Sequence, residues 1–130
     1  GPLAEAAPEA QLWLDGGHNP AAGEALAAHL AATPRETHLI CGMMNTKDVT
    51  GYLRPLASQA GRLIAVSIPG ETNTLPADDT ARIAASVGFQ AETAPDVATA
   101  LQRLVKTAPS ARILICGSLY LAGTVLRENG

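Results

Sequence analysis

Aromatic side chains are scarce in this sequence: Trp13, Tyr52, Phe89 and Tyr120 are all it contains. Its core must therefore be built from Ala, Val, Leu and Ile. Such small side chains let helices lie close on a sheet, but each removes little apolar area from water, so moderate stability is expected. Cysteine is nearly absent too. Cys41 and Cys116 each close an apolar run, too few for a disulfide framework, and they read as buried thiols that could be neighbours at strand ends. With His18, His29 and His38 they show no zinc-type spacing, so no metal site is expected. Basic residues form no block: 9 Lys and Arg stand against 12 Asp and Glu, for a net charge of −3. That balance excludes the clustered cations a nucleic-acid surface needs. No apolar run reaches the roughly 18 residues of a membrane span, and no secretory pattern is present, which points to a cytoplasmic protein without membrane contact. Also missing is any Gly-x-x-x-x-Gly-Lys-[Ser/Thr] stretch, the phosphate loop of many ATPases.

What is present is a regular alternation. Leu12 to Leu14 reads as a short buried strand, and Ala22, Leu26 and Leu30 recur at helical spacing until Thr33-Pro34. Thr37 to Cys41 is a second strand, followed by a loop from Met43 to Lys47 and a helix through Val49, Tyr52, Leu53 and Leu56. Pro55 would remove a bond inside that helix, so a kink or a restart at Pro55 is expected. Arg62 to Val66 is the third strand, residues 69–75 a polar loop, and Pro76 to Gly88 a helix with Asp78 and Asp79 in its first turn. Phe89 to Thr93 is a weak fourth strand, Asp96 to Lys106 an amphipathic helix, Ala111 to Cys116 a fifth strand, and Ser118 to Glu128 the last helix. Strands alternating with helices, several of them continuously apolar, predict an α/β fold. It is a Rossmann-like three-layer sandwich, with a mostly parallel sheet of about five to six strands and helices on both faces. Residues 1–10 show no periodicity and read as a linker or expression remnant, with Gly1-Pro2 resembling a protease scar. The domain proper is expected over 11–130.

Chemistry concentrates in the stretch Asp15-Gly16-Gly17-His18-Asn19-Pro20. Asn19 suits a helix cap and Pro20 the first helical position, which sets Asp15 and His18 at a strand's carboxyl end beside a helix N-terminus. Ligands bind there in α/β proteins, and a carboxylate so placed commonly meets ribose hydroxyls. The bland alternative is that Asp15 only closes its own turn. Imidazole at position 18 can donate a hydrogen bond to a phosphate or carboxylate. His29 and His38 read as structural. Ser118 after Gly117 offers a small anion site or, equally, an ordinary cap, and Lys47 is long enough to meet an acidic group. Met43, Met44 and Tyr120 read as packing. In a parallel sheet the loops after Leu14, Cys41 and Cys116 share one edge, so these residues are expected to converge.

Asp15 to Pro20 resembles the Asp-Gly-Ala-His-Asn-Pro signature of folylpolyglutamate synthase/dihydrofolate synthase, in its C-terminal domain, within the Mur ligase superfamily. Gly17 replaces the usual Ala, a change expected to preserve the turn. Gly42-Met43-Met44-Asn45-Thr46-Lys47-Asp48 and Cys116-Gly117-Ser118-Leu119-Tyr120-Leu121-Ala122-Gly123 match the same family in the same order. The resemblance implies a Mur-ligase-type C-terminal domain over 11–130, cut from an ATP-dependent ligase that adds L-glutamate to dihydropteroate or folate through an acyl phosphate. Asp15, with Gly16 and Gly17, would hold the ATP ribose; His18 would act beside the reacting phosphate; Ser118, His18 and Lys47 would face the glutamate side. Magnesium ligands and the phosphate loop would belong to a preceding ATPase domain, leaving this piece inert alone. The family often carries an Arg shortly before the Leu-Pro of the 69–76 loop, where Asn73 and Thr74 stand here. The alternatives are a peptidoglycan Mur ligase C-terminal domain, a free-standing nucleotide-binding module and a flavodoxin-like interaction domain.

Overall fold

The computed structural model describes residues 1–129. Pro2–Ala6 forms α1, Gln11–Leu14 β1, Pro20–Ala32 α2, Thr37–Cys41 β2 and Val49–Leu53 α3. Arg62–Ala65 is β3, Ala77–Ser86 α4, Gln90–Thr93 β4, Val97–Thr107 α5, Arg112–Cys116 β5 and Leu119–Asn129 α6. The five strands form one parallel sheet in the order β1-β5-β2-β3-β4. Every residue of β2 and β5 is buried, as expected of central strands covered on both faces.

Helix ends follow local chemistry. Asn19 accepts the Ala22 N–H at 2.8 Å, Asp48 that of Gly51 at 2.9 Å and Asp96 that of Thr99 at 2.7 Å, each answering an amide the helix leaves free. Pro55 ends α3 as expected, and the chain continues as a 3-10 turn over Arg54–Ser58. That tighter turn tolerates a residue lacking an N–H.

Two expectations change. The N-terminal segment read as a linker holds a helical turn, because Leu3 and Ala7 lie four apart and bury themselves against the α5–α6 face. The Leu3 N–H also donates to Asn129 Oδ1 at 2.9 Å. One turn is too short to register as periodicity. The strand β1, read as buried, is a half-buried edge. Its apolar residues do not reveal edge or centre, because β5 arrives beside it from a hundred residues away.

The core has two layers. Leu26, Leu30, Tyr52, Leu53 and Leu56 pack on one face of the sheet. Leu101, Leu104, Leu121 and Val125 pack on the other. Connections leaving β1 and β2 therefore cross one face, while the chain leaving β5, which lies between them, enters α6 on the other. Neighbouring strands whose connections part to opposite faces leave a crevice at their carboxyl ends, where open α/β sheets bind ligands.

Candidate functional site

Three loops meet at this crevice. His18 follows β1, Met44 and Lys47 follow β2, and Ser118, Leu119 and Tyr120 follow β5. Together they line a cleft of about 410 Å³. The expected convergence of His18, Lys47 and Ser118 is thus a feature of the fold.

Gly117 makes the third loop possible. Its φ of +105° is a conformation that L side chains rarely adopt, and a β carbon there would stand 2.6 Å from the Gly42 carbonyl oxygen. The chain thereby turns sharply out of β5 and presents Ser118. The serine is 2% exposed, and its Oγ accepts the N–H groups of Tyr120 at 3.0 Å and Leu121 at 3.4 Å. It is therefore the cap of α6, yet its own hydroxyl hydrogen is still available to an acceptor in the cleft. His18 Nδ1 is buried without a hydrogen-bond partner among the described residues. Lys47 is exposed at the rim. A histidine, a hydroxyl donor and an ammonium around one cleft make a site for an anion such as a phosphate or carboxylate.

Asp15 behaves differently. Its Oδ2 accepts the Gly17 N–H at 3.0 Å, so the turn-closing role is real, while Oδ1 accepts no hydrogen bond among the described residues. A β carbon on Gly17 would lie 2.8 Å from Ala22 Cβ and 2.9 Å from Asp15 Oδ2. The turn is therefore drawn tighter than an alanine at position 17 would allow without movement. Asp15 and Gly17 line a second cleft with Trp13, Leu26 and His29, while Gly16 abuts Leu119.

The loop after β2 is fastened to the 69–75 loop. Asn45 N–H donates to Asn73 O and Leu75 N–H to Met43 O, both at 2.8 Å. Thr74 Oγ1 accepts the Ile68 N–H at 2.8 Å, so the position beside the missing arginine fixes loop shape. Beneath the site, Cys41 and Cys116 are register partners, buried and free. The Cys41 thiol, donating a hydrogen bond to Cys116 Sγ and buried with it, has its pKa raised well above the ordinary range.

His38, read as structural, accepts the Arg62 N–H at Nδ1 and meets Glu36 through Nε2. His29 packs beside Trp13, with ring centroids 5.2 Å apart. Tyr120, read as packing, is instead 55% exposed and walls the cleft with Leu119. The signal was in α6 itself: Leu121 and Val125, four apart, take the buried stripe and leave Tyr120 off it. No group of three His, Cys, Asp or Glu side chains among the described residues is placed to hold a metal ion.

Comparison with known proteins adds to this geometry. Residues 4–128 match the family described as dihydrofolate synthetase, C-terminal domain. Among solved structures, folylpolyglutamate synthase from Mycobacterium tuberculosis, complexed with ADP and AMPPCP, is 29% identical with a TM-score of 0.77. The match covers 92% of this chain and 29% of that one. The bifunctional folylpolyglutamate synthase/dihydrofolate synthase of Yersinia pestis, complexed with AMPPNP and a manganese ion, is 25% identical with a TM-score of 0.73. There 92% of this chain and 28% of that chain are covered. The Escherichia coli protein complexed with DHPP and ADP, 23% identical with a TM-score of 0.73 over 87% of this chain and 27% of its own, shares the fold. This chain spans less than a third of the length of these structures. No curated protein sequence matches it.

Proposed function

Because the chain belongs to the dihydrofolate synthetase C-terminal domain family, we propose that it supplies one half of the active site of an ATP-dependent amide ligase. The other half, with the phosphate loop and the magnesium ligands, lies in a preceding ATPase domain. The full enzyme adds L-glutamate to dihydropteroate or folate in the cytoplasm, and this domain alone is inert. The pteroate or folate carboxylate attacks the γ-phosphorus, ADP leaves, and an acyl phosphate forms. The glutamate amine then attacks the acyl carbon, losing a proton as phosphate departs.

In this reading Asp15 Oδ1 accepts a ribose hydroxyl of ATP, with Gly16 and Gly17 giving the backbone close access. His18 donates to the transferring phosphoryl group or to the departing phosphate. Ser118 and Lys47 bind the carboxylates of the incoming glutamate. Closure of the two domains brings amine and acyl phosphate together and excludes water that would hydrolyse the intermediate. The observation that carries the reading is the single cleft shared by His18, Lys47 and Ser118 where the sheet's connections part.

The test is His18→Ala in the full-length ligase. Turnover is expected to fall at least about a hundredfold, in the range of a lost acid–base or charge-stabilising group, with the unfolding midpoint nearly unchanged. Turnover close to the parent's removes His18 from the site.

A further inference from the structure

Sulfur gathers beneath the cleft. Cys41 closes β2, Met43 stands two residues on, and Cys116 closes β5; all three side chains belong to the core on the α2–α3 face of the sheet. Cys41 and Cys116 are register partners on neighbouring strands, so their side chains point the same way, and the Cys41 thiol donates to Cys116 Sγ. Met43 joins them at Gly117. A β carbon on that glycine would stand 2.7 Å from Met43 Sδ and 3.0 Å from Cys41 Sγ, so both sulfurs press on one point.

The ligase chemistry proposed above uses none of these three atoms. Two buried thiols by themselves are ordinary packing. A thioether brought to the same place adds the ligand type that favours soft cations over zinc. Zinc prefers four ligands, and no third His, Cys, Asp or Glu among the described residues completes such a set with the two thiols. The Tyr52 hydroxyl lies beside Cys116, buried and with no oxygen or nitrogen to bond. A thiolate accepts far better than a thiol, so this donor gains a strong partner only when Cys116 ionises.

We propose that Cys41, Cys116 and Met43 form a trigonal, all-sulfur site for a soft monovalent cation, copper(I). Both thiols give their protons to water, two copper–thiolate bonds and one copper–thioether bond form, and no electron changes hands. The complex carries one net negative charge, which the Tyr52 O–H meets at Cys116. Entry is through the cleft, which Gly117 lines without a side chain. A bound ion ties the ends of β2 and β5 together directly under the loop that presents Ser118.

The test is anaerobic titration of the chain with copper(I) presented as its bicinchoninate complex. One ion per chain should leave the chelator, with a thiolate-to-copper absorption band and a raised unfolding temperature. Met43→Leu conserves volume and should weaken binding about tenfold, while Cys41→Ala or Cys116→Ala should weaken it at least about a hundredfold. Zinc in the same titration should leave the unfolding temperature unchanged. The urea-unfolded chain keeps both thiols but not their arrangement, so it should compete far less well for the metal. Equal affinity of the folded and unfolded chains, or a Met43→Leu variant that binds like the parent, overturns the site. So does one ion shared between two chains.

Discussion

Gly23 of α2 lies with its α carbon against the main-chain carbonyl oxygen of Tyr52 on α3, so close that a β carbon would overlap it. The helix that begins at the Asp15–His18 turn is thereby clamped onto the helix that follows the Lys47 loop. Two of the three site loops are held at fixed separation by a missing side chain.

Gly23→Ala is therefore expected to force the helices apart and cost about 1–3 kcal/mol, as overpacking does. Gly61→Ala serves as the control, since its β carbon would stand 3.5 Å from His38 Cε1, an ordinary contact. Urea midpoints of the two variants decide the matter. Equal midpoints would mean that α2 and α3 separate without penalty.

The Tyr52 hydroxyl is buried and has no hydrogen-bond partner among the described residues. Tyr52→Phe thus removes a desolvated group that gains little from the weakly accepting Cys116 thiol beside it, and the variant should be equal to the parent or more stable by up to about 1 kcal/mol. Burial first, then the Cys116 and Cys41 thiols and the Asp15 carboxylate, raises the phenol pKa far above its usual value. The unfolded chain ionises near pH 10 while the folded one keeps its proton, so stability falls as pH rises through and beyond about 10. Tyr52→Phe should flatten that alkaline loss. Thermal unfolding at neutral and alkaline pH measures both effects, and a destabilised variant at neutral pH would reveal an unseen partner for the hydroxyl.

Hydrogen bonds from Thr99 lower the Asp96 pKa. The sign is the reverse of that for Tyr52: its contribution is complete above the ordinary carboxylate pKa of about 3.9 and is lost as pH falls through the lower folded value. At neutral pH, Asp96→Ala should cost about 1 kcal/mol, the usual worth of a helix cap. The deficit should shrink as acid protonates the parent, whereas Asp96→Asn should retain most of the cap at every pH. A deficit that stays constant into strong acid would show that the carboxylate charge is immaterial.

Much of the site was legible in the residues because its parts are local. The Asn19, Asp48 and Asp96 caps each bond three residues onward, and such bonds need only a few torsions to be set. Asp15 to His18 was readable as a strand-end turn for the same reason. Tyr120 was misread because its fate depends on which stripe of α6 faces the sheet. The groove beside Trp13 left no trace in the order of residues, since its walls come from β1, α2 and a strand far along the chain.

The chain by itself determined the alternation of strands and helices, the parallel class of the sheet and the chemistry available at each strand end, all properties of neighbouring residues. Only the tertiary structure decided that β5 inserts between β1 and β2, pairing Gln11 with Arg112 and Cys41 with Cys116. That insertion sends α6 to the opposite face, opens the crevice, and sets His18 and Ser118 on one cleft with Asp15 on another. Pairing between distant segments is won by whole-surface burial, which no short window of sequence contains.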